Sequence, residues 1–85
     1  MKITVRFFAS VKEQIGRPIE EVDLPAGVST VGALVAHLKA RGGAYETAFG
    51  DKKLVRMAVN QDMVPHTAAI KAGDEVGFFP PVTGG

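Results

Sequence analysis

Residues 72–85 read Ala72-Gly73-Asp74-Glu75-Val76-Gly77-Phe78-Phe79-Pro80-Pro81-Val82-Thr83-Gly84-Gly85, and their order separates a strand from a tail. Ala72-Gly73-Asp74 is a turn signal, and Glu75 to Phe79 is the strand that follows it. Side chains alternate across a strand, so Val76 and Phe78 face a core while Glu75, Gly77 and Phe79 face away. Pro80 and Pro81 carry no backbone N–H, so the ladder cannot continue past Phe79. Beyond it lies a stiff, extended stem that ends in two residues without side chains. Fully extended, the six residues from Pro80 reach roughly 20 Å. Bare backbone can thread a narrow channel and deliver its terminal carboxylate where a bulkier end would clash. With no strand partner and no large apolar group beyond Val82, residues 80–85 are expected to form a flexible tail.

The chain opens with a strand of the same kind. Ile3, Val5 and Phe7 alternate with Thr4, Arg6 and Phe8 over residues 2–8, the period-2 pattern of a half-buried strand. Phe7 shares parity with Ile3 and Val5 and belongs to the core, which leaves Phe8 outside beside Arg6. Phe8 and Phe79 thus fall on a face that otherwise carries Arg6, Arg56 and Glu75. Single exposed apolar residues are common and need no explanation. If the first and last strands are neighbours, however, the two rings form one patch, and a contiguous patch argues for a partner. Arg6 and Arg56 are then either rim charges facing that partner or simply solvated.

Between the two strands the strongest signal is helical. Val31, Leu34, Val35 and Leu38 recur at i, i+3, i+4, i+7, one apolar stripe of a helix of about eleven residues. Thr30 or Ser29 supplies an N-cap oxygen, Lys39 and Arg41 suit the C-terminal end of the dipole, and Gly42-Gly43 is read as the stop. Ala9 to Ile15 forms a shorter helix ended by Gly16, and Ala44 to Phe49 adds one more turn. Residues 19–24 read as a strand with apolar positions at Ile19, Val22 and Leu24. Leu54 to Val59 is another, with Val55, Met57 and Val59 on one face. Asn60-Gln61-Asp62 turns it into the short segment Met63-Val64, which Pro65 keeps at an edge or ends. The expected fold class is α+β: a mixed sheet with one main helix packed on one face. Such a helix covers only one face, so the other is wet or bound to something.

Composition narrows the function classes. The chain has 85 residues, 46% of them hydrophobic and 22% charged, an ordinary mixture for one small domain spanning residues 1–85. Ten Lys and Arg against nine Asp and Glu leave a formal charge of +1, without the basic excess of a nucleic-acid binder. There is no cysteine, which excludes disulfides, thiolate metal sites and a cysteine nucleophile. No apolar run approaches the roughly 18 residues of a membrane span. The first residues lack a signal peptide's apolar core, so the expected compartment is the cytoplasm. His37 and His66 have no spacing that links them into a metal site. Ser10, Ser29 and Thr30 lack an assembled base. Gly42-Gly43 has no following Lys-Ser/Thr of a phosphate loop.

The ending 72–85, together with Val5-Arg6-Phe7-Phe8-Ala9 and Ala58-Val59-Asn60-Gln61 in the same order, resembles the small-subunit family of molybdopterin synthase, the MoaD type of the MoaD/ThiS sulfur carriers. The resemblance covers the whole chain, and Phe-Phe-Pro-Pro-Val-Thr-Gly-Gly is its most specific part. It implies a β-grasp, ubiquitin-like fold whose first and last strands are parallel neighbours at the sheet centre, which would join Phe8 to Phe79. It also implies a function in molybdenum cofactor biosynthesis. An ATP-dependent adenylating enzyme (MoeB-type) would activate the Gly85 carboxylate, and sulfur from a separate donor would displace AMP to leave a thiocarboxylate. The loaded tail would enter the large subunit (MoaE-type), which would hold the catalytic pocket and pass sulfur to cyclic pyranopterin monophosphate. By this resemblance Gly85 carries the reactive group and Gly84 the bare backbone before it. Phe8, Phe79, Pro80, Pro81, Val82 and Thr83 would meet partners, and Arg6 and Arg56, placed on that face by strand parity, would be rim charges or solvated. The chain would not be an enzyme on its own and would bind no cofactor, only transient adenylate and thiocarboxylate on its end. A ThiS-type carrier for thiamine thiazole synthesis and a ubiquitin-like modifier joined to lysines through Gly85 are the alternatives.

Overall fold

Alternation at the two ends of the chain dictates where the core lies, and the rest of the fold covers it. The computed structural model describes residues 1–50 and 55–80. Its elements are β1 (Lys2–Phe7), α1 (Ala9–Ile15), β2 (Ile19–Asp23), α2 (Val31–Lys39), α3 (Gly43–Ala48), β3 (Arg56–Val59), β4 (Asp62–Val64) and β5 (Glu75–Phe79). The sheet order is β2-β1-β5-β3-β4. β1 and β5 run parallel, and the remaining neighbours are antiparallel. Two parallel central strands with helices over one face form the β-grasp arrangement, as the α+β reading and the resemblance required.

Ile3, Val5 and Phe7 of β1 and Val76 and Phe78 of β5 are buried against Val11 of α1, Val31, Leu34 and Leu38 of α2, and Ala48 and Phe49. Phe78 stacks with Phe7 at 6.3 Å between ring centroids and meets Phe49 edge-on at 5.0 Å. α2 starts where Thr30 Oγ1 accepts a hydrogen bond from the Ala33 N–H at 3.2 Å. Among the described residues no helix is long and apolar enough to cross a membrane.

Several boundaries differ from the sequence reading, among them α3, which runs Gly43–Ala48 rather than Ala44 to Phe49, and β3, which starts at Arg56 with Val55 outside it. β1 ends at Phe7, and Phe8 is the residue that precedes α1; its backbone stays extended, and its N–H still donates to Phe78 O at 3.0 Å. β2 ends at Asp23, and Ile19 is 48% exposed, because residues 19 and 22 are an odd number apart and fall on opposite faces. α2 closes at Ala40 in right-handed conformation. The Arg41 and Gly42 N–H groups then bond to Leu38 O and Lys39 O, tightening the last turn. Gly42 (φ 77°) and Gly43 (φ 57°) instead turn the chain into α3. Past α2, Arg41 donates to Glu20 Oε2 at 2.7 Å and Tyr45 Oη to Glu20 Oε1 at 3.0 Å, which ties this corner to β2. The β3–β4 turn is only Asn60-Gln61, both with positive φ, the pattern of a two-residue hairpin. Leu54, read as a strand start, lies outside the described residues, as does the tail from Pro81.

One buried carboxylate locks the sheet's end. Asp74 is 5% exposed; its Oδ2 accepts from the Lys71 N–H at 2.8 Å and its Oδ1 from Asn60 Nδ2 at 3.1 Å. Asn60 Oδ1 in turn accepts from the Glu75 N–H at 3.0 Å. Burial alone would raise the Asp74 carboxyl, but the donors of Lys71 and Asn60, with the Lys71 charge, hold it below its ordinary value. A folded-state pKa below the unfolded one stabilises the fold above the unfolded value, and that stability is lost as pH falls through the folded value. Asp74→Ala should therefore cost about 1–3 kcal/mol in urea unfolding at neutral pH. The deficit should shrink below about pH 4, as the wild-type carboxylate is protonated. A deficit unchanged down to strong acid would show that the carboxylate's charge does not contribute.

Candidate functional site

The sheet face turned away from the helices is built by register. Arg6 pairs with Ile19 and with Gly77, Gly77 with Ala58, and Ala58 with Met63. Ile19, Arg6, Gly77, Ala58 and Met63 therefore form one row across all five strands. Phe79 lies two residues along β5 from Gly77, and Phe8 two along from Arg6. Because β1 and β5 run parallel, the two phenylalanines arrive at the same level. Their rings stack at 4.5 Å between centroids and 5° between planes, a separation at which aromatic pairs attract. Both are half-buried, while Gly77 and Ala58 beneath them are buried although they face outward.

The two arginines expected at the rim part company. Arg6 Nη1 donates to Glu75 Oε2 at 3.1 Å, a half-exposed ion pair beside the stack. Its charge is already matched within the chain. Arg56 pairs in register with Phe79 and is exposed; among the described residues no carboxylate pairs with it. Pro80 is half-buried at the end of β5. Pro81, Val82, Thr83, Gly84 and Gly85 lie outside the described residues.

Sequence reasoning misses Met63. It is 56% exposed and stands on the same face as the phenylalanines, at the far side of Ala58. The signal that finds it is Asn60-Gln61: a two-residue turn sets Met63 opposite Ala58. Ile19 and Met63, two of the three exposed large apolar residues among the described ones, thus flank the stacked rings. Chemically this face is apolar at its centre. It offers apolar area, the Arg56 guanidinium that no carboxylate matches among the described residues, and the strand from which Pro80 leads on. Among the described residues His37 and His66 join no cluster of metal-ligating side chains.

Comparison with known proteins sets this geometry in context. The model of the ThiS family matches residues 5–85. The chain is 46% identical over 83 residues to the molybdopterin synthase sulfur carrier subunit of Escherichia coli (strain K12), covering 98% of this chain and 99% of that one. It is 40% identical over 83 residues to the subunit of that name from Haemophilus influenzae, again covering 98% and 99%. Among solved structures, the putative molybdopterin converting factor, subunit 1, from Pyrococcus furiosus aligns with a TM-score of 0.79 and 33% identity, covering 96% of this chain and 99% of that one.

Proposed function

The chain belongs to the ThiS family, and from that premise we propose that it is the sulfur-carrier subunit of a molybdopterin synthase. The observation that carries the reading is that the family match runs through Gly85, in a chain whose docking face sits at the foot of that tail. A carboxylate is a poor acyl donor, since its leaving group would be oxide or hydroxide. Attack of a Gly85 carboxylate oxygen on the α-phosphate of ATP releases pyrophosphate and leaves an acyl-adenylate, a mixed anhydride with a good leaving group. A sulfur nucleophile then displaces AMP and leaves the thiocarboxylate.

The chain's own residues bind and deliver. Phe8, Phe79 and Met63 dock, Arg56 meets a partner carboxylate at the rim, and Pro80 to Thr83 aim the tail. Gly84 lets it pass, and Gly85 carries the sulfur. Activation belongs to a MoeB-type adenylating enzyme. Transfer to cyclic pyranopterin monophosphate belongs to the pocket of a MoaE-type large subunit. No resident cofactor is needed, because ATP and sulfur act only on the chain's end. This division of labour suits a protein without cysteine that carries sulfur and must receive it from elsewhere.

Intact-mass spectrometry of the protein from cells tests the reading. The expected result is a fraction in which one terminal oxygen is replaced by sulfur, and its loss when the adenylating enzyme is deleted. Isopeptide adducts through Gly85 with no sulfur-bearing species would overturn the carrier reading in favour of a protein modifier. Sulfur loading with transfer into thiazole rather than molybdopterin would move the chain to the thiamine branch.

A further inference from the structure

Gly77 stands in the middle of β5, and no left-handed backbone explains it: its φ lies outside the positive region where the chain's turn glycines sit. A glycine inside a strand weakens the strand and often marks a place where another group approaches closely. Here that group is aromatic. A Cβ at Gly77 would meet Phe8 Cε2 at 3.0 Å and Phe79 Cε1 and Cζ at 3.4 and 3.5 Å. Both rings lie over bare backbone, and with Ala58, Gln61 and Glu75 they border a shallow depression of about 40 Å³. The inward neighbours Val76 and Phe78 are fully buried, so the core takes no part in this approach.

We propose that Gly77 is a positioning residue for docking, acting through Phe8 and Phe79 by letting their stack lie flat against the sheet at the root of the tail. The proposal rests on the docking reading of this face. Five residues follow Pro80, a reach of about 17 Å when extended, so any enzyme holding the Gly85 carboxylate must stand close to Phe79. Ring height and tail exit are therefore presented to one partner surface together. That surface is the apolar patch of the enzyme that receives the tail. A side chain at residue 77 pushes the Phe8 ring outward and holds the partner off, while leaving the chemistry of Gly85 untouched.

A double-mutant cycle in the full-length chain tests this, with wild type, Gly77→Val, Phe8→Ala and the double variant. Binding to the purified molybdopterin synthase large subunit is measured by calorimetry, and KM and kcat are measured for loaded carrier in product formation. Gly77→Val should weaken binding about tenfold or more, the scale of removing one well-packed aromatic anchor from an interface. KM for the carrier should rise with kcat unchanged at saturation, and the ring-current shifts of Phe8 and Phe79 should fall in NMR spectra. In the Phe8→Ala background the same substitution should cost less than about twofold, because the residue it acts through is gone. Gly77→Ala, which adds only the Cβ, serves for the cycle if the valine variant does not fold. An equal loss in both backgrounds would overturn the proposal, as would no loss in wild type while Phe8→Ala weakens docking. If Phe8→Ala itself leaves binding unchanged, the docking reading falls, and the proposal with it.

Discussion

Deletion of Gly85 should leave a chain that folds and docks like the wild type but yields less than about 1% of its product. The shortened chain still ends in a glycine carboxylate, so intrinsic reactivity is preserved. What changes is position: the reactive carbon retreats by about 3.5 Å, one residue of extended backbone. A misplacement of about 1 Å can already cost 10²-fold in rate. One alanine added after Gly85 should be as damaging, because it carries the carboxylate past the ATP α-phosphate. Gly84→Val should fail for a separate reason: on the carrier reading a β-branched side chain would have to pass where only bare backbone is expected to fit. The assay is molybdopterin formation from the pyranopterin precursor with purified large subunit and enzymatically or chemically loaded carrier. Normal yield from the Gly85 deletion would end the sulfur-carrier reading and leave a β-grasp binding module.

Phe79→Lys should separate docking from folding. The ring is half-buried on the outer face and stacked on Phe8, whereas its neighbour Phe78 is fully buried. Burying a phenylalanine is worth about 1.5–3 kcal/mol, so binding to the large subunit should weaken by roughly 10- to 150-fold. The melting temperature should stay within a few degrees of wild type, since a lysine stem can lie along the same surface with its charge in water. Phe78→Lys, by contrast, should unfold the chain by placing an unpaired charge in the core. Wild-type affinity in a folded Phe79→Lys variant would show that partners approach another face.

Much of this architecture is legible in the residues because its causes are local. The alternation of Val76 and Phe78 with Glu75, Gly77 and Phe79 follows from pleating. The helix at Ala9–Ile15 is bounded by a polar-apolar pattern and by Gly16, and Thr30 caps α2 as its hydroxyl suggests. Periodicity says which side of an element is apolar. It does not say where an apolar stretch stops, which is why the pattern groups Ile19 with Val22 and Gly42-Gly43 with the helix before it. Parity assigns Phe8 and Phe79 to the outer face, but the parallel pairing that joins them comes only through the family resemblance.

Strand faces and the main helix follow from the residues alone, because each depends on neighbours within one or two turns of chain. Long-range pairing is what stacks Phe8 on Phe79 at 4.5 Å and sets the β3–β4 hairpin, which carries Met63, beside them. It also matches Arg6 with Glu75, 69 residues away, and sets Gly77 beneath both rings. Those facts depend on the register between strands distant in sequence. A one-residue slip in that register would send every side chain to the opposite face.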